Sequence, residues 1–463
     1  MTHGKRGRGP AHASLAALLL LSAAGCTGGV TGTPGAAGVR DPYFPRLGNG
    51  GYDVRHYALA VAYDPATGRL DGTAEITARS TQGLSSFNLD LSGLTVHGAS
   101  VDGDPASVRR AGHEVTIRPR ADVDEGAVFR TVVRYSGVPR VITDPDGSEE
   151  GWLRTADGAV ALGEPTGSMA WFPGNHHPSD KATYAVTVTV PAGLQAVANG
   201  LPGRAVTRGG RTTATWRSAE PMASHLATLA VGRFDVTTTR TPAGLPVITA
   251  VDRTVAPEVA DLPARLPGLL AWLTEKFGPY PFSSAGVIVE RPGDLAYALE
   301  TQTRPVVPRD LLTTGILVHE LAHQWYGNSV SPRSWRDVWL NEGFARYAEW
   351  LYAEDFGGTP AQESFEAAFA DPANWAFPPA EPPTAADAFA PPVYGRGAMV
   401  LHQVRRAVGD EVFFDLLRGW AAEHRYGNAS TDDFTAYAEE AAGEDLTGVW
   451  DTWLYGGGKP DAP

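Results

Sequence analysis

Apolar residues in this chain keep two different rhythms, and the change between them near residue 240 restricts the fold to a β part followed by an α-rich part. Before the change, hydrophobic side chains recur at every second position. Tyr57, Leu59, Val61 and Tyr63 stop at an Asp64-Pro65-Ala66-Thr67-Gly68 turn; Leu70, Ala74, Ile76 and Ala78 then alternate with Asp71, Thr73, Glu75, Thr77 and Arg79. Phe87, Leu89 and Leu91 repeat the habit, as do Tyr184, Val186, Val188 and Val190. Half-buried strands separated by Gly/Pro turns predict a largely antiparallel β domain. Beyond Pro242-Ala243-Gly244 the spacing becomes helical over 257–277, 311–326, 335–356, 397–408, 411–420 and 433–442, with one buried strand at 286–290. The Pro- and Ala-rich stretch 371–392 reads as a surface loop.

With 463 residues the chain is long enough for two or three domains. Its formal charge is −14, and its densest cation cluster, Lys5, Arg6 and Arg8, lies at the extreme N-terminus. No basic stripe exists to neutralise phosphates, so nucleic acid is excluded as a partner. The cationic head, the apolar stretch Leu15–Leu21 and the small residues Ser22-Ala23-Ala24-Gly25 read as an export signal over 1–25. Cys26 follows directly, in the position of a lipid attachment site. Lipidation would anchor the chain to the outer face of the cell membrane; plain cleavage would release it. It is the single cysteine, so the core holds without disulfides. The expected organisation is then a flexible tether over 26–47, a β domain over 48–240, an α-rich second domain over 241–457 and a tail over 458–463.

His319-Glu320-Leu321-Ala322-His323 carries the chemistry. Two histidines four apart lie on one helical face, one turn from each other, so both imidazoles can reach one ion. Glu320 projects beside that ion, placed to hold a water. Gly327-Asn328 ends the helix and Pro332 turns the chain. Ser334 with Asp337 caps a second helix containing Asn341-Glu342-Gly343-Phe344-Ala345. An antiparallel helix pair brings Glu342 back against His319 and His323. Three protein ligands leave one position open, which is the catalytic arrangement of zinc.

These motifs, His319-Glu320-Leu321-Ala322-His323-Gln324-Trp325 and Asn341-Glu342-Gly343-Phe344-Ala345, with eighteen residues separating His323 from Glu342, resemble those of the gluzincin aminopeptidases of the aminopeptidase N family. The resemblance implies a saddle-like N-terminal β domain and a thermolysin-like α/β catalytic domain; the large helical C-terminal domain of many members has no counterpart after Tyr394. It implies one zinc ion per chain on His319, His323 and Glu342, with Glu320 as general base. Glu300, in Tyr297-Ala298-Leu299-Glu300-Thr301, stands where the family binds the substrate α-ammonium, although the Gly, Met and Asn of the family's pattern are replaced. Glu164, before Pro165, matches a second amine-binding position, and Tyr394 the tyrosine beside the reacting carbonyl. The implied substrates are peptides with a free N-terminus. A zinc endopeptidase or an epoxide hydrolase on the same frame, and an inactive surface-binding protein, are the other readings. His176-His177 lacks a third partner at ligand spacing and reads as a surface loop.

Overall fold

The computed structural model describes residues 32–461; the expected signal segment and Cys26 lie outside them. A twelve-stranded sheet forms the first part, with Arg69–Ser80 between Tyr52–Asp64 and Val128–Gly137, both antiparallel to it. Tyr52–Asp64 then runs parallel to Lys181–Pro191, so Tyr57 stands beside Ile76 on one side and Tyr184 on the other. The period-two residues of the sequence point inward: Tyr57, Leu59, Val61 and Tyr63 are all buried. A five-stranded sheet, which includes Glu149–Arg154 and Ala159–Leu162, covers this core.

Phe234–Arg240, read in the sequence as the close of the first domain, pairs instead with Pro246–Asp252. Together with Ala285–Glu290 and Val306–Pro308 they make a four-stranded sheet that begins the second part. This sheet is apolar on both faces, as a sheet covered on both sides must be. Val247, Val251, Val287 and Val289 face the helices, whereas Ile248, Ala250 and Ile288 face the first part. The helices follow: α1 (Leu262–Phe277), α2 (Thr314–Ala322), α3 (Trp339–Asp355), α4 (Ala361–Ala370), α5 (Gly397–Val408), α6 (Asp410–Glu423) and α7 (Thr431–Ala442). Among the described residues no separate helical domain follows them.

Two expectations are corrected. The segment 33–47 is a strap, not a free tether: Thr33–Pro34 pairs with Leu84–Asp90, and Leu47 is buried. Asp41 is 3% exposed and accepts hydrogen bonds from Trp335 N and Ser334 Oγ at 2.9 Å, while His177 Nε2 lies 3.3 Å away. Its glycines serve close approach: a Cβ on Gly38 (φ +89°) would lie 2.1 Å from Pro45 O. His176 and His177 are accordingly buried, His176 within the first part against Phe172 and Asp90 and His177 beside Asp41, instead of lying on a surface loop.

Candidate metal centre and catalytic cleft

Thr313 caps α2 by accepting from Ile316 N at 3.1 Å, which starts the helix so that His319 and His323 share its inner face. Their ring centroids lie 4.8 Å apart. The chain leaves α2 through Gly327 (φ +122°), where a Cβ would press on the Asn341 side chain, and returns as α3. Glu342, in the first turn of α3, puts Oε2 3.3 Å from His319 Nε2 and 3.4 Å from His323 Nε2. Two ligand bonds of about 2.0–2.1 Å at a tetrahedral angle span about 3.4 Å, so these three atoms fit one ion. His319 Nδ1 faces Glu349 Oε1 at 2.8 Å, and His323 Nδ1 faces Tyr326 O at 3.1 Å. Donation from each Nδ1 leaves both Nε2 atoms free to ligate. Burial works against protonation of His323, but the carboxylates of Glu300 and Glu342 win and raise it to about 9.

Beside this group Glu320 is 5% exposed and its Oε2 has no hydrogen-bond partner. Burial pushes its carboxyl up to about 8 against the opposing pull of His319. Glu300 arrives from the other side, its Oε1 3.8 Å from His323 Nδ1 and likewise unpartnered. The segment bearing it is held from α2 and the following turn. Gln324 Nε2 donates to Glu300 O at 3.1 Å, Asn328 Nδ2 to the same oxygen at 2.7 Å, and Gln324 Oε1 accepts from Thr303 N at 2.7 Å. The buried Arg304 ties the segment to the first part by donating to Ala198 O and Gly200 O. Glu164 reaches the same place from the first part, buried, with Oε1 unpartnered. Burial and then the charges of Glu300 and Glu342 push its carboxyl well above the usual range.

Residues 283–453 match the Peptidase family M1 domain. The structure superposes on the M1 zinc metallopeptidase from Deinococcus radiodurans with a TM-score of 0.84 and 30% identity, over 92% of this chain and 98% of that one. This chain belongs to peptidase family M1. A mutant of the Deinococcus enzyme, solved with a bound Tyr-Ser-Ala substrate, is similar at TM-score 0.86 and 29% identity, over 92% and 99% of the two chains. Aminopeptidase M1 of Arabidopsis thaliana is 26% identical over 332 residues, which are 65% of this chain and 37% of that protein. The chain therefore spans well under half the length of that curated relative.

Zinc is the family's metal, and two imidazoles with a carboxylate suit it. In this M1 member all seven residues singled out in the sequence line one cleft of about 460 Å³: Glu164, Glu300, His319, Glu320, His323, Glu342 and Tyr394. Tyr394 lies on the turn Pro392–Arg396 just ahead of α5, its ring stacked on His319 with centroids 6.2 Å apart. Burial and the Glu342 carboxylate push its hydroxyl well above the ordinary phenol range, so it stays a donor. Gly343 makes that placement possible: a Cβ there would lie 2.9 Å from the backbone of Gly397, so only glycine lets α3 and α5 meet this closely. Sequence reasoning missed Glu349, Gln324 and Asn328. Glu349 left one signal, standing seven residues after Glu342 on the same stripe of α3.

Proposed function

We propose that the protein is a zinc aminopeptidase that removes single residues from peptide N-termini. The observation that carries this reading is the convergence of Glu300 and Glu164, from different parts of the chain, on the cleft of His319, His323 and Glu342. Two buried carboxylates with unpartnered oxygens form a wall that a cation relieves, because a buried unpaired charge is very costly. The α-ammonium of a peptide is such a cation. Seated there, it leaves only the first peptide bond beside the metal ligands.

Zinc held by the three ligands supplies Lewis acidity at the scissile carbonyl and makes a nearby water more acidic. Glu320, buried and close to neutrality in its proton affinity, takes a proton from that water and delivers it to the departing amine. The Tyr394 hydroxyl donates to the carbonyl oxygen as negative charge gathers on it. Glu300 and Glu164 hold the amine and fix the register of the substrate.

The test compares a free-amino peptide with its N-acetylated form, using wild type and Glu320→Gln. Free-amino substrate is turned over and blocked substrate is not, while Glu320→Gln keeps its zinc and loses roughly 10²–10⁴ in kcat. Equal rates on both peptides would remove the amine clamp and leave an endopeptidase. Export through 1–25, with a lipid on Cys26, is the accompanying proposal; mass measurement of the mature N-terminus decides it.

A further inference from the structure

We propose that the first part of the chain binds a second divalent cation, of the zinc or manganese kind, between Asp90, His113 and Glu114. None of these lines the catalytic cleft. One donor atom from each side chain lies within 4.8 Å of the others. The topology brings them together: Asp90 and Glu114 stand directly opposite on the paired strands Leu84–Asp90 and Glu114–Arg118, and His113 immediately precedes Glu114. Like charges directly opposite are destabilising unless something lies between them.

The polar accounting around this point does not close within the protein. Asp90 is fully buried; its Oδ2 accepts from Gly48 N at 3.0 Å and His176 N at 3.3 Å, but its Oδ1 has no partner. Both carboxylate oxygens of Glu114 are buried without a partner as well. His113 Nε2 is hydrogen-bonded to the carbonyl oxygen of Arg46 at 3.2 Å and lies 3.9 Å from Glu114 Oε1, so a modest side-chain shift would bring it to ligand distance. Beside Asp90 the buried Asn49 side-chain amide approaches that carboxylate and favours its charged form. Each such group left unmet destabilises the fold, and a charge more so than a neutral group.

A divalent cation would meet the open oxygens of both carboxylates at once. One imidazole nitrogen among carboxylate oxygens suits zinc or manganese, whereas calcium takes oxygen ligands throughout. The ion would pin the strand pair to the Gly48 turn of the strap and to the loop holding His176. If instead the two carboxyls keep protons or hold water, no metal binds here.

The experiment counts zinc in the full chain after stripping, equilibration with Zn²⁺ and desalting. The expected result is about two ions in wild type, about one in His319→Ala/His323→Ala and about one in His113→Ala/Glu114→Gln. About one ion in wild type, or about two in His113→Ala/Glu114→Gln, overturns the site. A second measurement does not depend on the folding of the latter variant: Zn²⁺ added to His319→Ala/His323→Ala raises its thermal midpoint by several degrees. A midpoint indifferent to Zn²⁺ in that protein also overturns the proposal.

Discussion

Glu349 stands two turns beyond Glu342 on α3, accepting from His319 Nδ1 at 2.8 Å while Arg346 Nη1 donates to its other oxygen at 2.8 Å. Burial alone would raise this carboxyl, but His319 and Arg346 hold it below the usual range, so it is anionic when a ligand must be oriented. Partners of this kind typically carry 10–100-fold in metal affinity. Glu349→Ala is therefore expected to weaken zinc by about that factor in competition with a chelator, and Glu349→Gln, which keeps an acceptor, by less. Undiminished affinity in the alanine variant would show that His319 needs no support. Ligands were legible in the sequence because helical periodicity alone brings His319 and His323 onto one face. Glu300 and Glu164 were legible only through the family's motifs, since their convergence spans 136 positions of chain and two sheets. Gln324 and Asn328 act through backbone atoms of the Glu300 segment, which no side-chain pattern reveals.

At the scale of elements, composition misled where glycine was read as freedom. The strap 33–47 is rich in Gly and Pro, yet those residues let it lie against the sheet, and one carboxylate secures it. Burial would raise Asp41, but hydrogen bonds from His177 and from the backbone of Trp335, Phe44 and Tyr43 bring it from 3.8 down to about 2. A drop of that size corresponds to roughly 2 kcal/mol of stability at neutral pH. Because the folded value is the lower one, this stability is fully present above the ordinary carboxylate range and is lost as pH falls toward 2. Asp41→Asn should thus unfold at lower denaturant than wild type at pH 7, with the gap closing toward pH 2. A gap of constant size across that range would remove the charge from the explanation. The helices behave more simply. α5 occupies the expected range, whereas α2 is confined to Thr314–Ala322 because the turn through Gly327 has to redirect the chain into α3. α4 was not expected at all; it occupies Ala361–Ala370, between the end of α3 and the loop-like stretch that begins at 371.

For the whole molecule the decisive feature is the four-stranded sheet shared by two apolar cores. Among the described residues the α-helices all follow the period change near 240, but so do three strands of this sheet, and Phe234–Arg240 pairs with the first of them. That strand, buried only at Phe234, follows the first part in sequence while pairing with the second. Ile248, Ala250 and Ile288 belong to the core of the first part, and Val247, Val251 and Val287 on the same strands belong to the core of the helices. Neither core can lose its packing without stripping one face of a common sheet. Lys181 adds a further tie, donating from the first part to the carbonyls of Asn328, Ser329 and Gly427 beside the metal helices. Heating should accordingly give one calorimetric transition whose van't Hoff and calorimetric enthalpies agree, as cooperative unfolding requires. Removing zinc should lower that transition without splitting it, since the metal group bridges α2 and α3 within a single core. Two resolved transitions, with the first part melting alone, would mean that the shared sheet does not couple the cores.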